Sequence, residues 1–480
     1  MLERQLKERI RVDRAPIIEN IFLIGCRGVS GGRMKAVILA GGKGTRLADI
    51  AAGLPKPLVP VAGRPVLEYQ IENLRRFGMT DITLIIGYQG SRIRKHFGDG
   101  SRFGVRVEYF EEEQPLGTAG ALLCLRESLP ERFLVLYGDL MLDIDFRRLI
   151  DRHVASAATA TLVVHPNNHP ADSDIVVVDD AQQVTGILPK NAPRREPYAN
   201  LVNAGVFLLD REILDGIPAG EVADLESDVI VPAISRGSVY GYRTTEYIRD
   251  MGTRHRFEQV GADVRRGVVA SRNLARRQRA IFLDRDGTIN EFVGLVSRPE
   301  QLRIPDEVYS AIADINDSGF LAIVVSNQPV VARNLCTIGD LATITRRMET
   351  MLGERGAYVD DIYCCPHHPD AGYPEENPTY KIVCRCRKPG TGMIDEAVER
   401  WNIDRSCSFL IGDTTSDVEA ARRAGVRSIL LATGLAGEDA KYRVTPDLRA
   451  RDLGAAVRLA LDDLSSERRP ADLASSARKV

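Results

Sequence analysis

Two carboxylates one residue apart, Asp284 and Asp286, end the apolar run Ala280-Ile-Phe-Leu283, and Gly287 follows at once. On a buried strand, side chains at i and i+2 point to the same side, so both acids would share one small volume, with Gly287 letting the backbone turn tightly beneath them. That arrangement suits nucleophilic attack beside a magnesium ion; taken alone it equally fits a polar turn after a strand. Further along, Ser326-Asn-Gln328 follows the apolar run Leu321 to Val325, Lys388 follows a cysteine cluster, and Asp413 and Asp417 follow Phe409-Leu-Ile-Gly412. In a parallel sheet all of these groups would gather at the carboxyl ends of strands, where ligands bind.

The cysteine cluster has its own chemistry. Cys364-Cys-Pro-His-His-Pro369 and Cys384-Arg-Cys-Arg-Lys-Pro389 flank a polar, Pro-rich loop. Cys365, His367, Cys384 and Cys386 make a three-thiolate, one-imidazole set suited to tetrahedral zinc with no open position, hence structural. Cys364 and His368 stand beside the set as non-ligands. Asp370 to Thr379 offers almost nothing apolar to bury, so metal binding would supply the folding energy of this loop. Cys26, Cys124, Cys336 and Cys407 read as small buried or incidental thiols.

A different device stands in the first half. After the strand-like run Lys35-Ala-Val-Ile-Leu-Ala40 comes Gly-Gly-Lys-Gly-Thr-Arg-Leu47. Gly41, Gly42 and Gly44 permit backbone N–H groups to approach phosphate oxygens closely, and Arg46 adds a fixed cation beside them. The spacing is neither the dinucleotide fingerprint nor a Walker loop. Lys56, between Pro55 and Pro57, is a second cation with little conformational freedom.

These groups need two scaffolds. At 480 residues the chain exceeds what one core supports, so two domains of roughly 200 residues each are expected. Strand-like runs at 35–40, 82–86, 105–109, 133–137, 160–164, 175–178 and 202–209 alternate with helical patterns, and a second series runs through 280–283, 321–325, 361–363, 408–411 and 428–431; such alternation means α/β. The expected division is an N-terminal extension over 1–33, a first domain over 34–264, a basic linker or short connecting helix over 265–279, a second domain over 280–464 and a disordered tail over 465–480. Met34 stands directly before the first strand and reads as an alternative start. Hydrophobic content of 44% and 27% charge are globular values, and a net charge of -2 argues against a general nucleic-acid binder. No stretch approaches the apolar length of a membrane span and none has a secretory cleavage pattern, so the expectation is a cytoplasmic protein acting on small molecules.

The first half resembles the sugar-1-phosphate nucleotidyltransferases through Gly-Gly-x-Gly-Thr-Arg-Leu, Pro-Lys-Pro, Leu116-Gly-Thr-Ala-Gly120 and Asn203-Ala-Gly205. The resemblance implies a Rossmann-like fold in which Gly41, Gly42, Gly44, Thr45 and Arg46 hold the nucleoside triphosphate. It implies that Lys56 steadies the phosphates, that Gly117, Thr118 and Ala119 line base and sugar, and that Asp139 and Asp250 hold Mg²⁺. Asn203, Glu226 and Lys190 match sugar-phosphate contacts, with Arg194 and Arg195 as alternatives to Lys190, whose Leu188-Pro-Lys-Asn191 context departs from the family's Glu-Lys-Pro. Within the family, Pro60-Val-Ala-Gly-Arg-Pro-Val-Leu-Glu-Tyr69 looks most like the heptose 1-phosphate guanylyltransferases.

The order Asp-x-Asp-Gly-Thr, Ser, Lys, Gly-Asp-x-x-x-Asp over 280–460 resembles the haloacid dehalogenase superfamily. It implies a Rossmannoid domain with Asp284 as nucleophile, Asp286 as general acid and base, Mg²⁺ on Asp284, the Asp286 main-chain carbonyl and Asp413, and Ser326, Asn327, Arg387 and Lys388 on the substrate; Asp417 is left open between a supporting role and a loop contact. The zinc loop is similar to that of heptose 1,7-bisphosphate phosphatases and histidinol-phosphate phosphatases, although Gln328-Pro-Val replaces the usual Ser-Gly after Gln. Together the resemblances imply a bifunctional enzyme taking heptose 1,7-bisphosphate, heptose 1-phosphate and GTP. The alternatives are another sugar such as mannose 1-phosphate, a histidinol-phosphate-type phosphatase half, or a non-catalytic sugar-nucleotide sensor.

Overall fold

In the computed structural model the described residues are 34–42, 53–370 and 376–467, the side chains of 464–467 excepted. Gly44, Thr45, Arg46, Cys26, the 1–33 extension and most of the expected disordered tail lie outside them.

The first domain is organised by a nine-stranded sheet with the path β10-β9-β11-β6-β1-β4-β5, extended from β11 through β8 to β12. These strands are β1 (Lys35–Leu39), β4 (Asp81–Ile86), β5 (Arg106–Glu111), β6 (Arg132–Tyr137), β8 (Ala160–His165), β9 (Ile175–Val178), β10 (Val184–Leu188), β11 (Val202–Asp210) and β12 (Val239–Arg243). β1 pairs in parallel with β4 and β6, whereas β11 runs antiparallel to β6, β8 and β9. Two small pairs accompany it: a hairpin of β2 (Pro60–Val61) and β3 (Arg64–Pro65), and β7 (Leu140–Asp143) antiparallel to β13 (Tyr247–Asp250). Val37, Ile38, Leu134 and Leu136 are buried from both faces, which is why β1 and β6 read as continuous apolar runs.

The second domain is a six-stranded parallel sheet in the order β16-β15-β14-β17-β18-β19. Its strands are β14 (Ala280–Leu283), β15 (Leu321–Asn327), β16 (Asp361–Cys365), β17 (Phe409–Gly412), β18 (Arg427–Leu431) and β19 (Leu448–Ala450). β14 lies between β15 and β17, so the residues leaving those three strands converge. The last helix, Leu453–Glu467, runs past the expected domain end at 464. Among the described residues no helix is long and apolar enough to cross a membrane.

The stretch 265–279 is not a loose linker. The helix Arg254–Arg266 ends on Gly267 in the left-handed region, the short helix Val268–Ser271 follows, and Arg272, Asn273, Leu274 and Gln278 are buried. The Arg272 guanidinium donates to the Thr245 carbonyl at 3.0 and 2.8 Å, to the Phe320 carbonyl at 3.3 Å and to the Asp360 carboxylate. The arginine ties the two domains together.

Glu349, on the helix Ile338–Glu354, is buried in the same junction and accepts from Asn200 N at 3.3 Å. Burial pushes its carboxyl up from 4.5 to about 7, against the pull of Arg243 and that N–H. The folded chain therefore holds a proton that the unfolded chain releases, and this contribution to stability is lost as pH rises from about 4.5 through about 7, by about 3 kcal/mol in all. Glu349→Gln keeps the acceptor and removes the titration. Its stability relative to the parent is expected to rise by about that amount between about pH 5 and pH 8 in denaturant melts; a pH-independent difference counts against this account.

Candidate active sites and a candidate metal centre

At the carboxyl end of β14, Asp284 is buried and its Oδ1 accepts from Lys388 Nζ at 2.6 Å. The same ammonium lies 2.6 Å from Asp417 Oδ1. Asp413, which follows β17, is fully buried; its Oδ2 accepts from Leu435 N at 2.7 Å, and its Oδ1 has no hydrogen-bond partner. Carboxylate oxygens of Asp284, Asp413 and Asp417 all lie within 4.8 Å of one another. Gly287 (φ 86°) and Gly434 (φ 57°) crowd the Asp413 carboxylate so closely that neither position has room for a Cβ.

Burial pushes Asp284 up to about 6 despite Lys388, and burial with the Asp284 charge pushes Asp413 up to about 8. Burial alone would lower Lys388, but Asp284 and Asp417 hold it above the usual lysine range. Three carboxylates around one ammonium leave surplus negative charge, and the orphaned Asp413 Oδ1 has a free lone pair; both fit a hard divalent cation.

The third carboxylate of this cluster is Asp417, which sequence left open between a supporting role and a loop contact. The Asp286 side chain is held elsewhere, by Arg285 at 2.9 Å, Asn290 Nδ2 at 3.0 Å and Gln328 Nε2 at 2.7 Å. Only its main-chain carbonyl is left for the metal role that the resemblance implies. Asp284 and Asp286 nevertheless line one cavity of about 310 Å³, together with Asn327, Arg387, Lys388 and Asp413. Ser326 is not among its lining residues: it is buried and its hydroxyl accepts from Gln328 Nε2 at 2.8 Å. Asn327 clasps Lys388 instead, donating to its carbonyl at 3.1 Å and accepting from its N–H at 2.9 Å. Gln328 and the buried Arg285, which orient Asp286, were given no role from sequence, although both stand inside the motifs quoted for it.

The expected zinc ligands are brought together. Cys386 Sγ lies 3.2 Å from Cys365 Sγ, 3.3 Å from Cys384 Sγ and 3.3 Å from His367 Nδ1, and Cys365 and Cys384 are 3.6 Å apart. Ligands about 2.0–2.3 Å from one ion stand about 3.5–3.8 Å apart at tetrahedral corners, so the set fits zinc with slight contraction. Cys364 packs away from it, against Val330, Val331 and Leu341. Arg387, which lines the Asp284 cavity, donates to the His367 carbonyl at 3.2 Å and to Cys384 Sγ through its N–H at 3.4 Å. The cluster therefore anchors a residue of the neighbouring site. Of the other cysteines, Cys124 is exposed and Cys336 and Cys407 are half-buried, so none is a core thiol.

In the first domain, a cavity of about 810 Å³ is lined by Gly41, Gly42, Lys56, Glu112, Gly117, Thr118 and Asp139 among others. Gly117 (φ 79°) lies against Ala223 with no room for a Cβ. Ala119 does not line this cavity: it is fully buried in the core and its N–H donates to the Ala223 carbonyl at 2.8 Å. Lys56 is ion-paired with Asp139.

Asp139 also lines a second cavity, of about 460 Å³, with Asn203, Glu226, Lys190, His169, Asp250 and Arg256. Asp250 is brought beside Asp139 by the β13–β7 pairing and by the Met251 N–H donated to the Asp139 carbonyl at 3.2 Å. Its carboxylate accepts from Arg256 at 3.0 Å and from Gly252 N at 2.8 Å, and His169 Nε2 is 4.0 Å away. Asn203 Nδ2 is buried without a partner. Burial pushes Glu226 up, opposed by the Tyr137 hydroxyl that donates to it at 3.1 Å. Lys190 Nζ lies 3.7 Å from Asp174. Its alternatives are otherwise placed: Arg194 donates to the Pro170, Ser173 and Leu188 carbonyls and sits over Tyr198, and Arg195 is exposed and lines neither cavity. Glu112, His169 and Arg256 were missed, because each lies outside a recognisable motif.

Residues 35–267 match the nucleotidyl transferase family and residues 385–456 the HAD-hydrolase-like family. The mannose-1-phosphate guanylyltransferase of Mycobacterium tuberculosis is 33% identical over 258 residues, covering 53% of this chain and 71% of that protein. The D-glycero-D-manno-heptose-1,7-bisphosphate 7-phosphatase of Chlorobaculum tepidum is 37% identical over 187 residues, covering 37% of this chain and 92% of that protein. The solved structure of HddC from Yersinia pseudotuberculosis complexed with GMP-PN aligns with 48% of this chain and 99% of its own, at 24% identity and a TM-score of 0.42. The chain belongs to the nucleotidyl transferase family through its first half and to the HAD-like hydrolases through its second, joining a nucleotidyltransferase domain to a phosphatase domain.

Proposed function

We propose that the chain performs two consecutive steps of nucleotide-activated heptose synthesis: removal of the C7 phosphate from D-glycero-D-manno-heptose 1,7-bisphosphate, then coupling of the heptose 1-phosphate with GTP to give GDP-heptose and pyrophosphate. The observation that carries this reading is the union of the two domains in one chain, since the phosphatase relatives act on a bisphosphate whose C7 dephosphorylation leaves the kind of 1-phosphate a nucleotidyltransferase consumes.

In the phosphatase site an Asp284 oxygen attacks phosphorus, the bond to the sugar oxygen breaks, and Asp286 protonates that oxygen. Asp286 then takes a proton from the water that hydrolyses the aspartyl-phosphate. Arg285, Asn290 and Gln328 aim its carboxylate. Lys388 and Arg387 face the phosphoryl oxygens, and Asp417 and Asn327 hold Lys388 in place. Mg²⁺ on Asp284, Asp413 and the Asp286 carbonyl would neutralise charge on the transferred group. Zinc on Cys365, His367, Cys384 and Cys386 would be structural.

In the transferase site the sugar phosphate oxygen attacks the α-phosphorus in line, and pyrophosphate leaves. Lys56 and Arg46 neutralise the oxygens, Gly41, Gly42, Gly44, Thr45, Gly117 and Thr118 hold the nucleotide, and Asn203, Glu226 and Lys190 hold the sugar phosphate. Asp139 and Asp250 would hold Mg²⁺, which would neutralise negative charge on the phosphate oxygens. The same chemistry on mannose 1-phosphate is a second reading, favoured by the guanylyltransferase relative named for that sugar.

The test incubates the protein with heptose 1,7-bisphosphate or, separately, mannose 1-phosphate, together with Mg²⁺ and each nucleoside triphosphate in turn. Phosphate release and a GDP-sugar appearing only with GTP are expected. No phosphate release, or a GDP-sugar from mannose 1-phosphate alone, overturns the heptose reading.

A further inference from the structure

The cavity assigned above to the sugar phosphate is not closed by the first domain alone. Asn316, Tyr358 and Asp360, all from the second domain, share its lining with Asn203, Glu226 and Asp250. One wall is the loop that carries Asn167, His169, Asp172 and Asp174. Asn200 clasps this loop, donating from Nδ2 to the Asn167 carbonyl at 2.7 Å and accepting from Asn167 N at 3.3 Å. Asn167 Nδ2 in turn reaches His169 Nδ1 and Ser173 Oγ, each at 3.2 Å.

What holds the clasp comes from the other domain. The helix Ile338–Glu354 is fixed in the second-domain core by Ile344, Met348 and Leu352. On its opposite side Glu349 accepts from Asn200 N, and the Thr350 hydroxyl accepts from Tyr198 N at 3.0 Å, its own hydrogen shared between the Arg346 carbonyl at 2.9 Å and the Tyr198 carbonyl at 3.2 Å. One turn on, Gly353 meets the loop itself: a Cβ there would stand 2.5 Å from Pro170 Cγ. Tyr198 N and Asn200 N are buried backbone donors whose acceptors are side chains of the second domain, and a buried N–H left without an acceptor is costly.

We infer that the phosphatase domain completes the transferase's sugar-phosphate pocket, with Thr350, Glu349 and Gly353 as positioning residues that set the loop bearing His169 and Asp174 against Asn203 and Asp139. The inference rests on the reading of that cavity as the sugar 1-phosphate site. Among the described residues, none from the second domain lines the nucleotide cavity, and none of the three positioning residues lines the phosphatase cavity. A defect at this contact should therefore be confined to one substrate of one reaction.

The test uses the full chain, with kinetics of both reactions. Thr350→Val removes the hydroxyl at nearly constant volume. It is expected to raise the KM for the sugar 1-phosphate about tenfold, the scale of one buried hydrogen bond, while KM for the nucleoside triphosphate and kcat/KM for phosphate release stay within about twofold. Thr350→Ser, which keeps the hydroxyl, should restore the sugar KM. Gly353→Ala, which pushes on Pro170 and meets Asn200 Nδ2 only at an ordinary contact distance of 3.6 Å, should move the same parameter. An unchanged sugar KM in both Thr350→Val and Gly353→Ala, or an equal loss in both reactions, overturns the inference while leaving the proposed function standing. A parent protein that forms no sugar nucleotide from any sugar 1-phosphate overturns both.

Discussion

Asp284→Asn is expected to lower phosphate release from a sugar bisphosphate by on the order of 10⁶-fold, the scale seen when a nucleophile acting within a catalytic unit is removed. The amide is isosteric and cannot form the phosphoryl ester, so the loss should appear in kcat more than in KM. Lys388 does not become an unpaired buried charge, because Asp417 remains 2.6 Å from its ammonium. Three buried carboxylates become two, which relieves repulsion with Asp413, and in Mg²⁺-free buffer without chelator Tm should stay level or rise. Nucleotidyl transfer should be unchanged, since Asp284 lines only the second-domain cavity. Parallel assays of phosphate and pyrophosphate release check this. A variant that keeps more than about a tenth of its phosphate release would mean that water attacks directly and Asp284 is no nucleophile.

How much of this site could be read in advance follows from where each contact comes from. β14, β15, β17 and β18 were legible because strands buried on both faces are continuous apolar runs, and the positions just after them followed from the parallel order. The role of Asp417 was not. It sits in a capping box with Thr414 at the start of the helix Thr415–Ala424, and that local reason for an acid hides its contact with Lys388. Asp286 was placed beside Asp284 by the period of two, but the chain leaves the strand before Asp284, and Arg285, Asn290 and Gln328 decide where the second carboxylate points. β12, reading Val-Tyr-Gly-Tyr-Arg, has no clean alternation and was missed. Arg272 was read as part of a basic linker because its acceptors, Thr245, Phe320 and Asp360, come from distant parts of the chain. The gathering of Cys365, His367, Cys384 and Cys386 was legible because these residues come in two short-spaced pairs, and short spacing survives any fold.

Asp139→Ala is expected to reduce nucleotidyl transfer on the order of 10³-fold, again chiefly in kcat, and to leave phosphate release intact. Asp139 is the carboxylate shared by the nucleotide cavity and the sugar-phosphate cavity, at the junction where an attacking oxygen and an α-phosphorus would meet. Its ion pair with Lys56 brings cation and acid to one point. A pair that merely stabilised the fold would show its loss in Tm, but Asp139 is a third exposed at its side chain and solvent screens the attraction. If the two instead act on the same phosphorus, their losses cannot add. Lys56→Met alone should cost transfer on the order of 10²-fold, and the double variant should be little worse than Asp139→Ala, because the interaction each depends on is already gone. Losses that multiply across the double-mutant cycle would show the two groups working independently, and the junction of the cavities would then not be where the chemistry takes place.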